Sequence, residues 1–166
     1  MEIVFYENDY YQVNASPSGI FFKNKKGGVV ILPLTPGGDP ILINHYRHSI
    51  GDYVLELPRG FKQEGEDAIE SAQRELKEEL NIVSPEWIYL GYVYPDSGII
   101  GGYIDLFMAC RCEMESISVQ TEEYINSYKI IPIDKLIKQV CEGKINDGFT
   151  IACLFRGVYA LKGGIV

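Results

Sequence analysis

The sequence predicts an α/β fold in which a mixed β-sheet is covered by helices. Strand-like runs precede and follow a single amphipathic helix in the middle of the chain, and two more helices come last. Residues 29–34 (Val-Val-Ile-Leu-Pro-Leu) are apolar without interruption, which is typical of a strand buried on both faces. The central helix carries its own start signal, because Asp67 and Glu70 have the spacing of a capping box.

The strands before this helix fall into two groups. About the first 26 residues form a short N-terminal region of antiparallel strands, because aromatic and β-branched runs alternate there with Asn, Asp, Ser and Pro. These runs are residues 3–6, 10–13 and 19–22. The main body continues with the 29–34 strand, a Thr-Pro-Gly-Gly-Asp turn, and strands over 41–47 and 52–57.

After the central helix, Ser84-Pro85 interrupts the helical pattern and more strands follow. The predicted strands are residues 87–94, 102–111 and 124–131. Two helices end the chain: Asp134 is expected to cap a helix over 135–142, and Asp147 to start one that reaches about Leu161.

Composition limits the classes of function. The formal net charge of −8 argues against a nucleic-acid polymer as partner, since such binders usually carry basic patches. No apolar run has the length of a membrane span and no signal-peptide pattern precedes the first strand, so we expect a cytoplasmic protein without membrane contact. The four cysteines lack zinc-site spacing and are expected to be reduced thiols.

The central helix places two carboxylates side by side. Glu75 and Glu79 are four residues apart and lie on nearly the same line beside the apolar stripe, and Glu78 projects from an adjacent face. Like charges at this spacing destabilise an isolated helix by about 0.2–0.5 kcal/mol. Converging carboxylates therefore suggest a bound hard cation such as Mg²⁺. A solvated acidic face is the alternative that helix geometry alone leaves open.

Residue spacing around the helix favours the cation. Five residues separate Gly60 from Glu66, and seven more precede the Arg74-Glu75 pair. The fixed positions are Gly60, Glu66, Arg74, Glu75, Leu76, Glu78, Glu79 and Ile82. This pattern resembles the signature box of the Nudix hydrolases, with Asn81 where the family has glycine. That position follows the helix and needs a left-handed backbone, which Asn tolerates best after Gly.

The resemblance implies a Nudix-type α/β/α sandwich formed by residues 1–166 as one domain, and a metal-dependent catalytic site. Glu75 and Glu79 would be the principal Mg²⁺ ligands, with Mn²⁺ as an alternative metal. Glu78 would be a further ligand or support one, and the carbonyl of Gly60 would join the site. Glu66 and Arg74 would form a structural ion pair that orients the carboxylates.

Two flanking stretches resemble the ADP-ribose pyrophosphatase branch of the family. His45-Tyr46-Arg47 matches Gln-Tyr-Arg, and residues 56–60 (Glu-Leu-Pro-Arg-Gly) match Glu-Leu-Pro-Ala-Gly. The resemblance makes Arg47, Glu56, Arg59 and Tyr46 candidates for substrate binding. The chain departs from the branch at residues 99–102, where Ile-Ile-Gly-Gly replaces an acidic turn.

The branch often takes a catalytic base or an extra metal ligand from a late loop, where this chain has Glu122 and Glu123. The implied reaction is Mg²⁺-dependent cleavage of ADP-ribose, or of a related ADP-sugar, to AMP and a sugar phosphate, by a homodimer. The alternatives are a GDP-sugar or dinucleoside polyphosphate hydrolase, or a non-catalytic Nudix-like nucleotide sensor.

Overall fold

The computed structural model describes residues 2–164, so Met1 and residues 165–166 of the predicted domain lie outside the described part. Within that part the chain forms eleven strands and three helices. The strands are β1 (Ile3–Glu7), β2 (Tyr11–Ser16), β3 (Gly19–Asn24), β4 (Gly28–Pro33), β5 (Ile41–Arg47), β6 (Asp52–Glu56), β7 (Arg59–Phe61), β8 (Glu86–Val93), β9 (Ile100–Gly101), β10 (Ile104–Cys110) and β11 (Ile125–Ile130). The helices are α1 (Ala68–Leu80), α2 (Ile133–Cys141) and α3 (Gly148–Leu161).

A mixed four-stranded sheet forms the centre of the molecule, with the strand order β7-β4-β10-β8. Strands β4 and β10 are parallel, whereas β7 and β8 pair antiparallel with their neighbours. Every residue of β4 is buried. This matches the uninterrupted apolar sequence at 29–34, because a central strand covered on both faces leaves no side for polar residues.

Helices cover both faces of this sheet. On one face, Leu76 and Leu80 of α1 pack in one cluster with Ile31 and Phe107. On the other face, Leu154 of α3 packs in a second cluster built from the alternate residues of the same strands. The predicted α/β/α sandwich with a mixed sheet is therefore confirmed.

Two smaller sheets flank this core. Strands β11, β5 and β6 form an antiparallel sheet that carries several of the candidate site residues. Strands β1, β2 and β3 form the predicted N-terminal antiparallel region, and the short β9 adds to its edge. Large apolar side chains on β1 and β3, such as Phe5 and Ile20, are exposed to solvent.

The ends of α1 follow the sequence signals. The Asp67 side chain accepts from the Glu70 N–H and the Glu70 side chain accepts from the Asp67 N–H, which completes the capping box. Asn81 ends the helix in the left-handed conformation, with φ 54° and ψ 34°. Its Nδ2 also donates to the Ser116 carbonyl, 2.7 Å away, a bond that glycine could not make.

The start of α2 differs from the expectation. The helix begins at Ile133 directly after Pro132, and Asp134 lies inside the first turn without capping it. Pro132 has a fixed φ near the helical value, so it can start the helix without a side-chain cap. The short strands β7 and β9 were also not predicted, because two or three residues carry no periodic signal.

Cys110, Cys112, Cys141 and Cys153 are all free thiols. None of the helices in residues 2–164 has both the length and the hydrophobicity needed to cross a membrane.

Candidate active site

Strand β7 brings Gly60 against the central helix. A Cβ atom at position 60 would overlap the carboxylate of Glu75. Glycine is therefore the residue that lets the two segments approach, and it leaves the carboxylate beside the β7 backbone. Both Glu75 and Glu79 are buried, although they lie at the edge of the α1 apolar stripe.

Arg74 links the loop before α1 to the carboxylates of the helix. Its Nε donates to Oε1 of Glu66 at 2.8 Å, and its Nη2 donates to Oε2 of the same carboxylate at 3.0 Å. Its Nη1 donates to Glu75 at 2.7 Å and to Glu78 at 2.8 Å. The hydrogen bonds from Arg74 lower the pKa of Glu66 to about 2. The structure thus contains the predicted Glu66–Arg74 ion pair, and the same guanidinium holds two of the box carboxylates.

Glu79 is buried with little compensation for its charge. The residue is 1% exposed, and its Oε2 accepts a hydrogen bond from the Arg59 backbone N–H at 3.0 Å. Within residues 2–164 the carboxylate forms no ion pair with a lysine or arginine. Burial, followed by repulsion from Glu75, raises the pKa of Glu79 well above its usual value.

Glu56 is also fully buried, but two arginines neutralise it. Arg47 binds both of its carboxylate oxygens, and Nη2 of Arg59 donates to Oε2 at 3.1 Å. Burial nevertheless raises the pKa of Glu56, with the hydrogen bond from Arg47 opposing that shift. Arg59 in turn lies 3.3 Å from Asp147, the residue that caps α3, and its guanidinium packs over the Phe149 ring. The start of α3 therefore helps to fix Arg59.

Two cavities meet at strand β7. A cavity of about 540 Å³ contains the box carboxylates, and a second of about 360 Å³ contains Arg47 and aromatic side chains. The residues shared by both cavities are Arg59, Gly60 and Phe61. The ring of Phe61 contacts Tyr10, which lines the first cavity, and Tyr11, which lines the second. The tip of the N-terminal sheet thus borders both cavities.

Most of the residues singled out from the sequence meet here. Glu75, Glu78, Glu79, Gly60 and Arg74 line the carboxylate cavity, and Arg47 lines the other. Glu123, in a single 3-10 turn at Thr121–Glu123, also lines the carboxylate cavity. The lining does not include Glu122.

Tyr46 is not brought into either cavity. It lies on the opposite face of β5 from His45 and Arg47, and its ring packs on His48 and Tyr53. Its part in substrate binding stays a prediction that these contacts do not favour.

Sequence reasoning missed His45. Its side chain enters the carboxylate cavity, where burial and then the cations of Arg47 and Arg59 together lower its pKa to about 4. The alternation of β5 could have indicated this position, because residues 45 and 47 share a face. Lys62, which pairs with buried Asp105 at 3.1 Å, is a second cavity residue without a sequence signal.

The chemistry of these carboxylates suits a hard divalent cation. Glu79 is a buried anion without a paired lysine or arginine, and Glu75 lies beside the Gly60 backbone, so oxygen donors face one cavity. As the side chains stand in residues 2–164, no three His, Cys, Asp or Glu residues form a ready metal cluster. Arg74 holds Glu75 and Glu78 instead, so these two residues would exchange contacts with the guanidinium for contacts with an ion.

Known proteins resemble this chain in sequence. ADP-ribose pyrophosphatase from Bacillus subtilis (strain 168) is 27% identical over 97 residues, which are 58% of this chain and 50% of that protein. ADP-ribose pyrophosphatase from Mycobacterium tuberculosis (strain ATCC 25618 / H37Rv) is 27% identical over 128 residues, covering 76% of this chain and 62% of that protein. The chain therefore spans about half the length of the first relative and somewhat more of the second.

A solved structure of an ADP compounds hydrolase superposes with a TM-score of 0.80 at 20% identity, covering 98% of this chain and 92% of the other. At this identity the comparison shows the fold. The sequence model of the NUDIX domain matches residues 24–150, a segment that contains the whole box from Gly60 to Ile82. This match covers most of the chain, and on that basis the protein belongs to the Nudix family.

Proposed function

We propose that the protein hydrolyses the diphosphate bond of a nucleoside diphosphate derivative, most specifically ADP-ribose or a related ADP-sugar, with Mg²⁺ as cofactor. The products would be AMP and a sugar phosphate. The observation that carries the proposal is the buried Glu79 carboxylate, which lacks a cation partner within residues 2–164 and shares a cavity with Glu75. The two relatives named ADP-ribose pyrophosphatase support the choice of substrate.

The box residues would hold the metal. Glu79 and Glu75 are the proposed principal ligands, with Glu78 and the Gly60 carbonyl beside them. A bound divalent cation lowers the pKa of water and neutralises phosphoryl oxygens, which are the two requirements of this hydrolysis. Arg74 keeps the helix carboxylates oriented through its bidentate contact with Glu66.

The cations of the second cavity would bind the diphosphate. Arg47 and Arg59 have planar guanidinium groups suited to phosphate oxygens, and both line the second cavity, which adjoins the carboxylate cavity. In this structure Glu56 and Asp147 hold them in position, so they are preorganised rather than mobile. A substrate crossing Gly60 would place its nucleoside near Tyr11 and Phe149 and its diphosphate beside Arg59 and Gly60, where the two cavities meet.

Glu123 is the proposed general base or additional ligand. It lines the carboxylate cavity, where burial raises the pKa of both Glu75 and Glu79 and the charge of Glu123 adds a smaller increase to each. A carboxylate in this position can accept the proton of an attacking water.

A dinucleoside polyphosphate hydrolase is the second candidate. Two lysines favour it, because Lys26, whose ammonium lies over the Tyr10 ring, and Lys62 both line the carboxylate cavity. A longer phosphate chain would reach these cations, whereas the diphosphate of ADP-ribose need not.

We also infer a homodimer that works in the cytoplasm. The N-terminal sheet exposes the apolar side chains of Ile3, Val4, Phe5 and Ile20, which a second copy would cover. The four free cysteines are those expected in a reducing compartment. Light scattering at micromolar concentration tests the dimer, and a monomer would contradict it.

The decisive experiment is a hydrolysis panel with Mg²⁺ and then with EDTA. The panel contains ADP-ribose, ADP-glucose, GDP-mannose, diadenosine polyphosphates and nucleoside triphosphates, and products are identified by chromatography. Metal-dependent cleavage highest on ADP-ribose would support the proposal, and a preference for another substrate would replace it. No cleavage of any compound by folded protein would favour a non-catalytic nucleotide sensor.

A further inference from the structure

We propose that His45 supplies a nitrogen ligand, its Nδ1 atom, to the cation bound at Glu79. This inference rests on the proposed metal-dependent function and adds a residue outside the signature box. It predicts that the site distinguishes Mn²⁺ from Mg²⁺.

The Nδ1 atom of His45 is buried without a partner. The side chain is 13% exposed, yet Nδ1 itself is inaccessible to solvent and has no hydrogen-bond partner. Leaving a buried polar atom unpaired destabilises the folded protein, so such an atom usually has a partner. A neutral imidazole with its proton on Nε2 has a free lone pair at Nδ1, which is the form that binds metals.

The position of Nδ1 suits an ion shared with a carboxylate. It lies 4.0 Å from Oε1 of Glu79 and 3.7 Å from Oε1 of Glu56. Both separations are too long for a hydrogen bond. Adjacent donors that each lie about 2.1 Å from one octahedral ion are separated by roughly 3 Å, so Nδ1 and the Glu79 carboxylate would approach each other by about 1 Å to share a cation.

The surrounding charges select Glu79 over Glu56 as the carboxylate that shares the ion. Arg47 and Arg59 already neutralise Glu56 and would repel a second cation there. Glu79 forms no ion pair with any lysine or arginine in residues 2–164, and Glu75 adds further negative charge nearby. The attraction for a cation is therefore greatest on the side of Nδ1 that faces Glu79.

A mixed nitrogen and oxygen ligand set changes metal preference. Carboxylate and carbonyl oxygens suit Mg²⁺, whereas an imidazole nitrogen adds affinity for transition metals. Within this fold, His45 would therefore strengthen Mn²⁺ binding much more than Mg²⁺ binding.

Pulsed electron paramagnetic resonance of bound Mn²⁺ tests the proposal directly. The chain has two histidines, and His48 is an exposed residue whose ring packs on Tyr46 and Tyr124. We expect a nitrogen modulation in the wild-type protein that shifts on ¹⁵N-histidine labelling. It should disappear in His45→Gln and remain in His48→Gln. The isotope measurement uses the wild-type protein, so its outcome does not depend on whether a variant folds.

Calorimetric titration with each metal gives a second measurement. His45→Gln should weaken Mn²⁺ binding about 10-fold or more and Mg²⁺ binding less than 3-fold, whereas Glu79→Gln should weaken both. Mn²⁺ binding that depends on Glu79 but shows no histidine nitrogen would overturn the role of His45 and leave the proposed metal site intact. Binding that is absent, or unchanged in Glu79→Gln, would instead overturn the proposed metal site.

Discussion

The carboxylate of Glu75 lies against the Cα atom of Gly60, so closely that a methyl group at position 60 would overlap it. This contact joins β7 to α1 and places the helix that carries Glu75 and Glu79 over the backbone that separates the two cavities.

Gly60→Ala should therefore move the Glu75 carboxylate. We expect kcat/KM to fall about 100-fold, because a displacement of about 1 Å at a reacting centre can cost that much, while the fold is kept. Steady-state kinetics with far-ultraviolet circular dichroism measures both effects. Gly37→Ala is the matched control, since a Cβ atom there meets only ordinary van der Waals contact. Full activity of Gly60→Ala would show that the close approach has no catalytic role.

Replacing Glu79 should stabilise the metal-free protein while it destroys activity. The pKa of Glu79 is raised in the folded state, so its charge opposes folding at neutral pH. The sign follows from the direction of that shift. The destabilisation is absent below about pH 4.5, grows as the pH rises through the folded pKa, and is constant above it.

We expect Glu79→Gln to melt at a higher temperature than wild type at pH 7 in EDTA, and at nearly the same temperature at pH 4. A gain of about 1 kcal/mol corresponds to roughly 2–4 °C for a chain of this size. Added Mg²⁺ should raise the melting temperature of wild type but not of the variant. Glu115→Gln, at an exposed loop position, serves as control. A lower melting temperature for Glu79→Gln at pH 7 would contradict the assignment of a destabilising charge.

The two late-loop glutamates should differ in importance. Glu123 lines the carboxylate cavity and Glu122 does not, although both lie in the same 3-10 turn. Glu123→Gln should lower kcat by about 100-fold or more, which is the range for loss of a general base. Glu122→Gln should change kcat less than 3-fold. Equal losses in the two variants would assign the effect to the loop conformation instead.

The Arg47–Glu56 contact should contribute to stability as a coupled pair. Arg47→Met leaves the buried Glu56 with Arg59 as its main partner, so we expect a lower free energy of unfolding in urea, by about 1–3 kcal/mol. The Arg47→Met, Glu56→Gln double variant should lose less than the sum of the single variants. The exposed Arg111–Glu86 pair is the control, with an expected coupling below about 1 kcal/mol. Additive losses at Arg47 and Glu56 would exclude a direct interaction.

Much of the secondary structure of the main body could be predicted from the sequence, because it depends on local interactions. The capping box of Asp67 and Glu70, the helical spacing of Leu76 and Leu80, and the left-handed Asn81 depend on neighbours within one or two turns. Their preferences act before any tertiary contact forms. The same is true of the 29–34 strand, whose apolar run already requires burial on both faces. Asp134 was an exception, because α2 begins directly after Pro132 and Asp134 lies inside its first turn.

The site itself depends on contacts between segments that lie far apart in the chain. The box spacing identified Glu75 and Glu79, but not that Arg74 would hold Glu75 or that Gly60 would lie against its carboxylate. The sequence singled out Tyr46 beside Arg47. Because side chains alternate along β5, Tyr46 packs on Tyr53 outside the cavities, whereas His45 lines the carboxylate cavity.

The sequence by itself therefore determined the family, the mixed-sheet architecture and the helix that carries the carboxylates. Tertiary structure decided which charges are compensated. Glu56 forms ion pairs with two arginines, whereas Glu79 forms none with an arginine within residues 2–164. The physical reason is the distance along the chain over which each interaction acts. Capping and periodicity act between neighbouring residues, but the energy of a buried charge depends on every group that packing brings near it.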